Sequence, residues 1–188
     1  MSTSVDRKSK ALKMMLWFGL GSLIMTFAGL TSAFIVSKNR VDWVIDFPIP
    51  KAFYFSLIVI MVSSLSLFLS KKYLIKNKTK SNLFLIITIV LGLSFIMLQF
   101  IGFSQIINEG FHFTGPTSSI NSSFIFLIAF VHIIHVLVAL FFLIYIFIKN
   151  FNVQINDQDL LGFELVSIFW HFVDILWIYL FIFLVFFG

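Results

Sequence analysis

The chain has 188 residues, of which 60% are hydrophobic and only 11% charged, with a mean hydropathy of +1.07. A water-soluble globular domain has about a quarter of its residues charged, so this composition excludes one. There is no cysteine, which excludes disulfides, iron–sulfur clusters and thiolate metal sites. The net charge of +5 lies at the ends of apolar runs and reads as membrane topology rather than as a nucleic-acid surface.

In chain order, Arg7, Lys8, Lys10 and Lys13 precede an uncharged run at 14–37. That run exceeds the roughly 7–15 apolar residues of a cleaved signal peptide, and no small-x-small pattern ends it. It is read as a retained transmembrane helix over about 14–36. Its glycines, Gly19, Gly21 and Gly29, are expected to serve close helix packing. A bilayer core of about 30 Å takes about 20 apolar residues as a helix, and four more stretches qualify, at about 52–70, 83–106, 122–148 and 163–187. In the second, Ser63, Ser64 and Ser66 are expected to bond backbone carbonyls.

The connections carry breakers or charge: Pro48 and Pro50 in 38–51, five lysines in 71–80, Pro116 in 108–121, and the polar stretch 149–161. His112 is expected to lie exposed in a loop. None of these is long enough for a soluble domain. The expected fold is an all-α integral membrane protein, a single domain over residues 1–188 built as a bundle of five transmembrane helices. Ten of the 13 cations fall on one side: Arg7, Lys8, Lys10, Lys13, Lys71, Lys72, Lys76, Lys78, Lys80 and Lys149. The positive-inside rule then predicts a cytoplasmic N-terminus and an outside C-terminus. Helices four and five do not repeat one and two, which argues against an inverted-repeat transporter.

Ionisable groups at bilayer depth are rare and mark functional candidates. Here they are His132 and His135 in the fourth span and His171 and Asp174 in the fifth. His171 and Asp174, three residues apart, share one helical face, and Glu164 continues that face towards the cytoplasm. His135 and Asp174 both lie near mid-span of antiparallel helices, so a His135–Asp174 pair is reasonable if those helices are neighbours. Three readings compete. The leading one is an interhelical hydrogen-bonded cluster, worth on average about 0.6 kcal/mol per bond in membranes. The second is a role with protons. The third is ligation of haem or metal through His132, His135 and His171, which crowding by tryptophan and a scarcity of small residues beyond Ala129 and Ala139 disfavours. No glycine-rich phosphate loop and no nucleophile–base pair is recognisable.

The run Gly162-Phe163-Glu164, then Trp170-His171-Phe172-Val173-Asp174 and Trp177, resembles subunit III of the haem–copper oxidases. The stretch Ala129 to Val136 is similar to the family's Thr-Gly-x-His-Gly-x-His-Val, matching His132, His135 and Val136 but not the Thr or the Gly positions. Gly92, Phe95 and Gln99 resemble its Gly-x-x-Phe-x-x-x-Gln pattern. Trp17, Phe18, Ser22, Phe27, Ala28 and Gly29 look like its first-helix segment. One departure stands out: the buried glutamate that follows the Ser in the family is replaced by Leu23. The chain looks like the family's short form, which lacks the first two helices of the longer one.

The resemblance implies a non-redox accessory subunit of a proton-pumping terminal oxidase that reduces oxygen to water. It implies packing on subunit I, with subunit II in the same complex and a larger respiratory supercomplex in prospect. Haem and copper would reside in the partners, with no cofactor, metal or catalytic residue on this chain. It also implies phospholipid bound in a cleft between helix groups, support of sustained turnover and proton uptake, and a bacterial inner membrane. Gln99, His132, His135, Glu164, Trp170, His171, Asp174 and Trp177 would form the buried polar cluster and the subunit packing. Lys71, Lys72 and Lys149 would meet lipid headgroups, each cation contributing about 1 kcal/mol. Three alternatives stay open: an accessory subunit of a nitric oxide reductase, a b-type cytochrome using its own histidines, and a small channel or transporter.

Overall fold

The computed structural model describes residues 2–40, 43, 49–113, 119–152 and 157–187. These form five α-helices, α1 (Ser2–Ser37), α2 (Lys51–Tyr73), α3 (Lys78–Asn108), α4 (Ile120–Asn152) and α5 (Asp157–Phe187). Each contains a stretch long and apolar enough to cross a membrane. Every helix encloses its expected span and runs past it into polar residues. Lysine and asparagine cost little in a helix, so the backbone need not stop where the hydrocarbon does.

Local chemistry sets the ends. Pro50, at φ −58°, caps α2, where a missing N–H costs nothing; Pro48 and Pro116 lie outside the described residues. The Asn77 side chain accepts the Lys80 N–H at 3.2 Å to start α3. At its other end Gly110 takes φ +91°. Phe111 N–H then bonds Ile106 O at 3.2 Å and Gly110 N–H bonds Ile107 O at 3.0 Å, a Schellman closure that satisfies the last carbonyls.

Helices α2 to α5 close a ring in which α2 packs on α3, α3 on α4, α4 on α5 and α5 on α2, while α1 lies outside against α4 and α5. The closest seam joins α2 and α3, and serines make it. Ser70 and Ser81 each give a proton to the other's carbonyl, at 2.8 and 2.9 Å, and Ser66 donates to Phe84 O at 2.8 Å. Ser63 reaches Thr88 O at 3.5 Å. The expected bonds of Ser63 and Ser66 to carbonyls therefore cross to α3, because small side chains let the two backbones approach. Ser64 departs from that expectation by meeting a histidine.

The glycine expectation for α1 is corrected. A Cβ at Gly19, Gly21 or Gly29 would meet nothing within 4 Å, so these residues lie on an open surface. Close approach occurs instead in α3. A Cβ at Gly92 would stand 2.7 Å from Trp170 Cη2, and one at Gly102 would collide with Phe53 Cε1. Outward faces carry large apolar side chains, such as Phe18, Met25, Phe141 and Phe186, in a density that marks a surface meant for lipid or protein.

Candidate functional site

The buried polar groups gather where α5 meets α2, α3 and α4. Ser56 of α2 is the node of one set. Its hydroxyl donates to Phe53 O at 2.8 Å, and its oxygen accepts from Gln99 Nε2 at 3.0 Å and Trp177 Nε1 at 3.2 Å. One proton and two lone pairs exhaust a hydroxyl, so this serine ties three helices at once. Gln99, Ser56 and Trp177 are all fully enclosed.

The second set lies on the same α2–α5 seam. Ser64 Oγ and His171 Nδ1 are 2.7 Å apart, and Asp174 is buried at 3% exposure. The Ser64 hydroxyl stands beside the Asp174 carboxyl, but neither carboxyl oxygen has a hydrogen bond among the described residues. Lys71 lies exposed in the last turn of α2.

His135 does not join Asp174. Its Nδ1–H donates to Val131 O, one turn back on its own helix, at 2.7 Å. Depth alone made the pair reasonable, but Asp174 is turned towards α2 and His135 towards α1, where it meets Phe27 edge-on at 5.9 Å. His132 is fully buried and lies in an aromatic box. It stacks on Trp177 at 5.0 Å and meets Phe95 at 5.9 Å and Phe27 at 6.3 Å edge-on. Neither of its nitrogens has a partner among the described residues. Trp170 is likewise buried with its N–H unpartnered, and its ring packs over Gly92 rather than on a polar group.

Glu164 stands apart from the buried cluster. Its carboxylate holds Lys13 Nζ at 2.9 and 3.0 Å, with side-chain exposures of 37% and 40%. It shares His171's face along α5, but α1 supplies its partner. Lys72 and Lys149 lie in the last turns of α2 and α4 and are exposed. His112 is exposed and bonds Gly110 O at 3.1 Å. Among the described residues, no three His, Asp or Glu side chains gather as metal ligands. Ser56 is the residue that the sequence reading did not single out. Its only signal is a serine three residues after Phe53 in an apolar helix, which many lipid-facing serines share.

The comparisons with known proteins agree with the motifs. A family model, cytochrome c oxidase subunit III, matches residues 47–188. Cytochrome bo(3) ubiquinol oxidase subunit 3 of Buchnera aphidicola subsp. Baizongia pistaciae (strain Bp) is 34% identical over 180 residues, covering 92% of this chain and 89% of that protein. Its counterpart from Buchnera aphidicola subsp. Schizaphis graminum (strain Sg) is 33% identical over 176 residues, 89% of each. Cytochrome c oxidase subunit 3 of Bacillus sp. (strain PS3) is 28% identical over 171 residues, covering 88% of this chain and 80% of the relative. With the family model matching well over half of its length and both oxidase types aligning along most of it, the chain belongs to the cytochrome c oxidase subunit III family.

Proposed function

We propose that this chain is a non-redox accessory subunit of a proton-pumping haem–copper terminal oxidase, seated on subunit I with subunit II in the same complex. The observation that carries the non-redox reading is how the polar groups are used. Gln99 and Trp177 bond Ser56, His171 bonds Ser64, and His135 bonds its own helix. His132 is walled in by three aromatic rings, with no room for a macrocycle beside it. The cluster holds helices in register, at about 0.6 kcal/mol per bond on average and about 1.7 at most.

Phospholipid binding has support in a groove of about 490 Å³ between α1, α4 and α5, lined by Leu16, Phe142, Tyr145, Leu165, Val166 and Phe169. It is apolar along its walls, as an acyl chain requires. Lys13 lies two residues before its lining residue Met15, and Lys149 four residues after Tyr145. Anionic headgroups at that level gain from Lys149, whereas Lys13 is already held by Glu164. The cation asymmetry supports a cytoplasmic N-terminus, which puts this end, together with Lys71 and Lys72, at the inner face of a bacterial cytoplasmic membrane. Leu23 is half-buried and packs on the core. A contribution to proton uptake therefore acts through the complex and not through a carboxylate at that position.

The test is mild-detergent purification through a tag on this chain, followed by a redox difference spectrum and metal analysis. Haem and copper that arrive on larger chains, and leave when this one is stripped away, are the expected result. A haem spectrum that stays with this chain alone overturns the reading and makes ligands of His132, His135 and His171.

A further inference from the structure

The end of α1 meets the start of α4 on the side of the molecule opposite the Lys13–Glu164 pair. Phe34 of α1 stands edge-on to Phe124 of α4 at 5.9 Å and to Trp43 at 4.9 Å. Just beyond α1 the backbone turns, with Arg40 N–H on Ser37 O at 3.1 Å and Trp43 N–H on Arg40 O at 3.2 Å. Arg40 thereby comes to the start of α4, where it lines a cavity of about 420 Å³ with Phe113, Ser119, Ile120, Ser123 and Leu127.

The acceptors around this cavity are taken, and donors are left open. Ser119 and Ser122 cap α4 reciprocally, each backbone N–H reaching the other's hydroxyl oxygen, at 3.2 and 3.3 Å. Ser119 O accepts from the Ser122 hydroxyl at 2.8 Å, and Phe113 O accepts from the Ser123 hydroxyl at 2.7 Å. Three donors remain without an acceptor among the described residues. They are the hydroxyl proton of Ser119, whose side chain is buried at 7% exposure, the N–H of Ile120 at the first position of α4, and the guanidinium of Arg40. No acidic residue is among the described residues that line the cavity. The neighbouring cation is already engaged, since Lys38 Nζ lies over the rings of Phe187 at 4.9 Å and Trp43 at 5.7 Å.

We propose that this cavity is an anion site for a phosphate-type group, with Arg40 as its charged ligand and Ser119 and Ile120 as supporting donors. The inference stands apart from the oxidase reading and from the groove beside Lys149. A ligand that meets three donors must be an acceptor. Water meets that need but leaves the guanidinium charge unbalanced, whereas a phosphate oxygen pair matches the arginine fork and carries the opposite charge. The positive end of a 33-residue helix favours the same sign. A water takes about 30 Å³, so the cavity has room well beyond a single small ion. Phe113 and Leu127 wall that room with apolar surface, so the expected source is the phosphodiester of an anionic lipid, and the other source is free phosphate.

The experiment titrates the full chain, purified in mild detergent, with dioctanoyl phosphatidylglycerol, dioctanoyl phosphatidylcholine and inorganic phosphate in turn. Binding is read by native mass spectrometry and by the shift in Tm. Arg40 is exposed and lies outside α1, so R40Q should fold with the Tm of the parent in the absence of ligand. Phosphatidylglycerol is expected to bind in preference to phosphatidylcholine, and R40Q to weaken it about tenfold through loss of a charge-assisted contact. R40K keeps the charge without the fork and should weaken it about threefold. K51Q removes an exposed cation at the same end that does not line the cavity, and should change binding by less than about twofold. Inorganic phosphate that binds as well as the lipid, and is lost equally in R40Q, keeps the anion site and assigns it to a free ion. Equal binding by R40Q and the parent, equal losses in R40Q and K51Q, or a parent that binds neither phosphatidylglycerol nor phosphate each overturn the proposal.

Discussion

Trp177 of α5 gives its indole proton to Ser56 of α2 across 3.2 Å, onto an oxygen that also receives Gln99 from α3. Replacing Ser56 with Ala leaves two buried donors without an acceptor. Membrane hydrogen bonds contribute about 0.6–1.7 kcal/mol each, and unmet buried donors about 1–3. S56A should therefore cost about 1–3 kcal/mol in detergent unfolding. S94A is the control, since Ser94 bonds only Val90 O on its own helix, and it should change stability by less than about 0.5 kcal/mol. Equal effects would remove Ser56 from its place as the node.

Gly92 makes a second test of packing. The contacts that a Cβ would meet are Trp170 Cη2 at 2.7 Å and Leu140 Cδ2 at 2.9 Å, and Trp170 is buried at 1% exposure and cannot swing away. Overpacking of this kind costs about 1–3 kcal/mol, so G92A should destabilise by that amount. G19A meets open space and should be neutral or stabilising by up to about 1 kcal/mol, because alanine is the better helix former. Adding W170F to G92A removes the clashing atoms and should recover part of the loss; strictly additive losses would place the strain elsewhere.

The five spans were legible because about 20 uncharged residues in a row have few other uses, and the fifth helix was recognisable by Gly162 to Trp177. Rotation about the helix axis was not legible. Depth placed His135 and Asp174 at one level, but only packing decides which way each points, and the insertion of α2 beside α5 turned Asp174 towards Ser64. Glu164 shows the same limit: it lies seven residues from His171, hence on nearly the same face, yet its partner comes from Lys13 at the far end of the sequence. In α1 the glycines pointed to packing that the helix does not use, because α1 stands outside the ring of the other four.

The Lys13–Glu164 pair ties the N-terminal part of α1 to α5. Both side chains are more than a third exposed, so the coupling in a double-mutant cycle should be only about 0.2–1 kcal/mol and should shrink with added salt. K13E with E164K should recover most of what either single substitution loses. Failure of the swapped pair, with single effects unchanged by salt, would mean that the lysine acts through its aliphatic stem.

His132 separates structure from chemistry most directly. Its ring is stacked on Trp177 and walled by Phe27 and Phe95, and neither nitrogen is hydrogen-bonded among the described residues. If the ring is there to fill space, phenylalanine should replace it with little loss, since the swap keeps an aromatic body and removes two buried polar atoms that gain nothing. H132A instead opens a cavity against three rings and should cost about 2–5 kcal/mol. Unfolding measurements on both variants give the stabilities, and oxygen consumption by the assembled complex gives the function. H132F that is as stable as the parent and fully active leaves His132 a packing residue. H132F that folds normally but slows turnover, or shifts a haem spectrum, would mean that the imidazole handles a proton or an iron, because the shape of the box would be unchanged while only its nitrogens were gone.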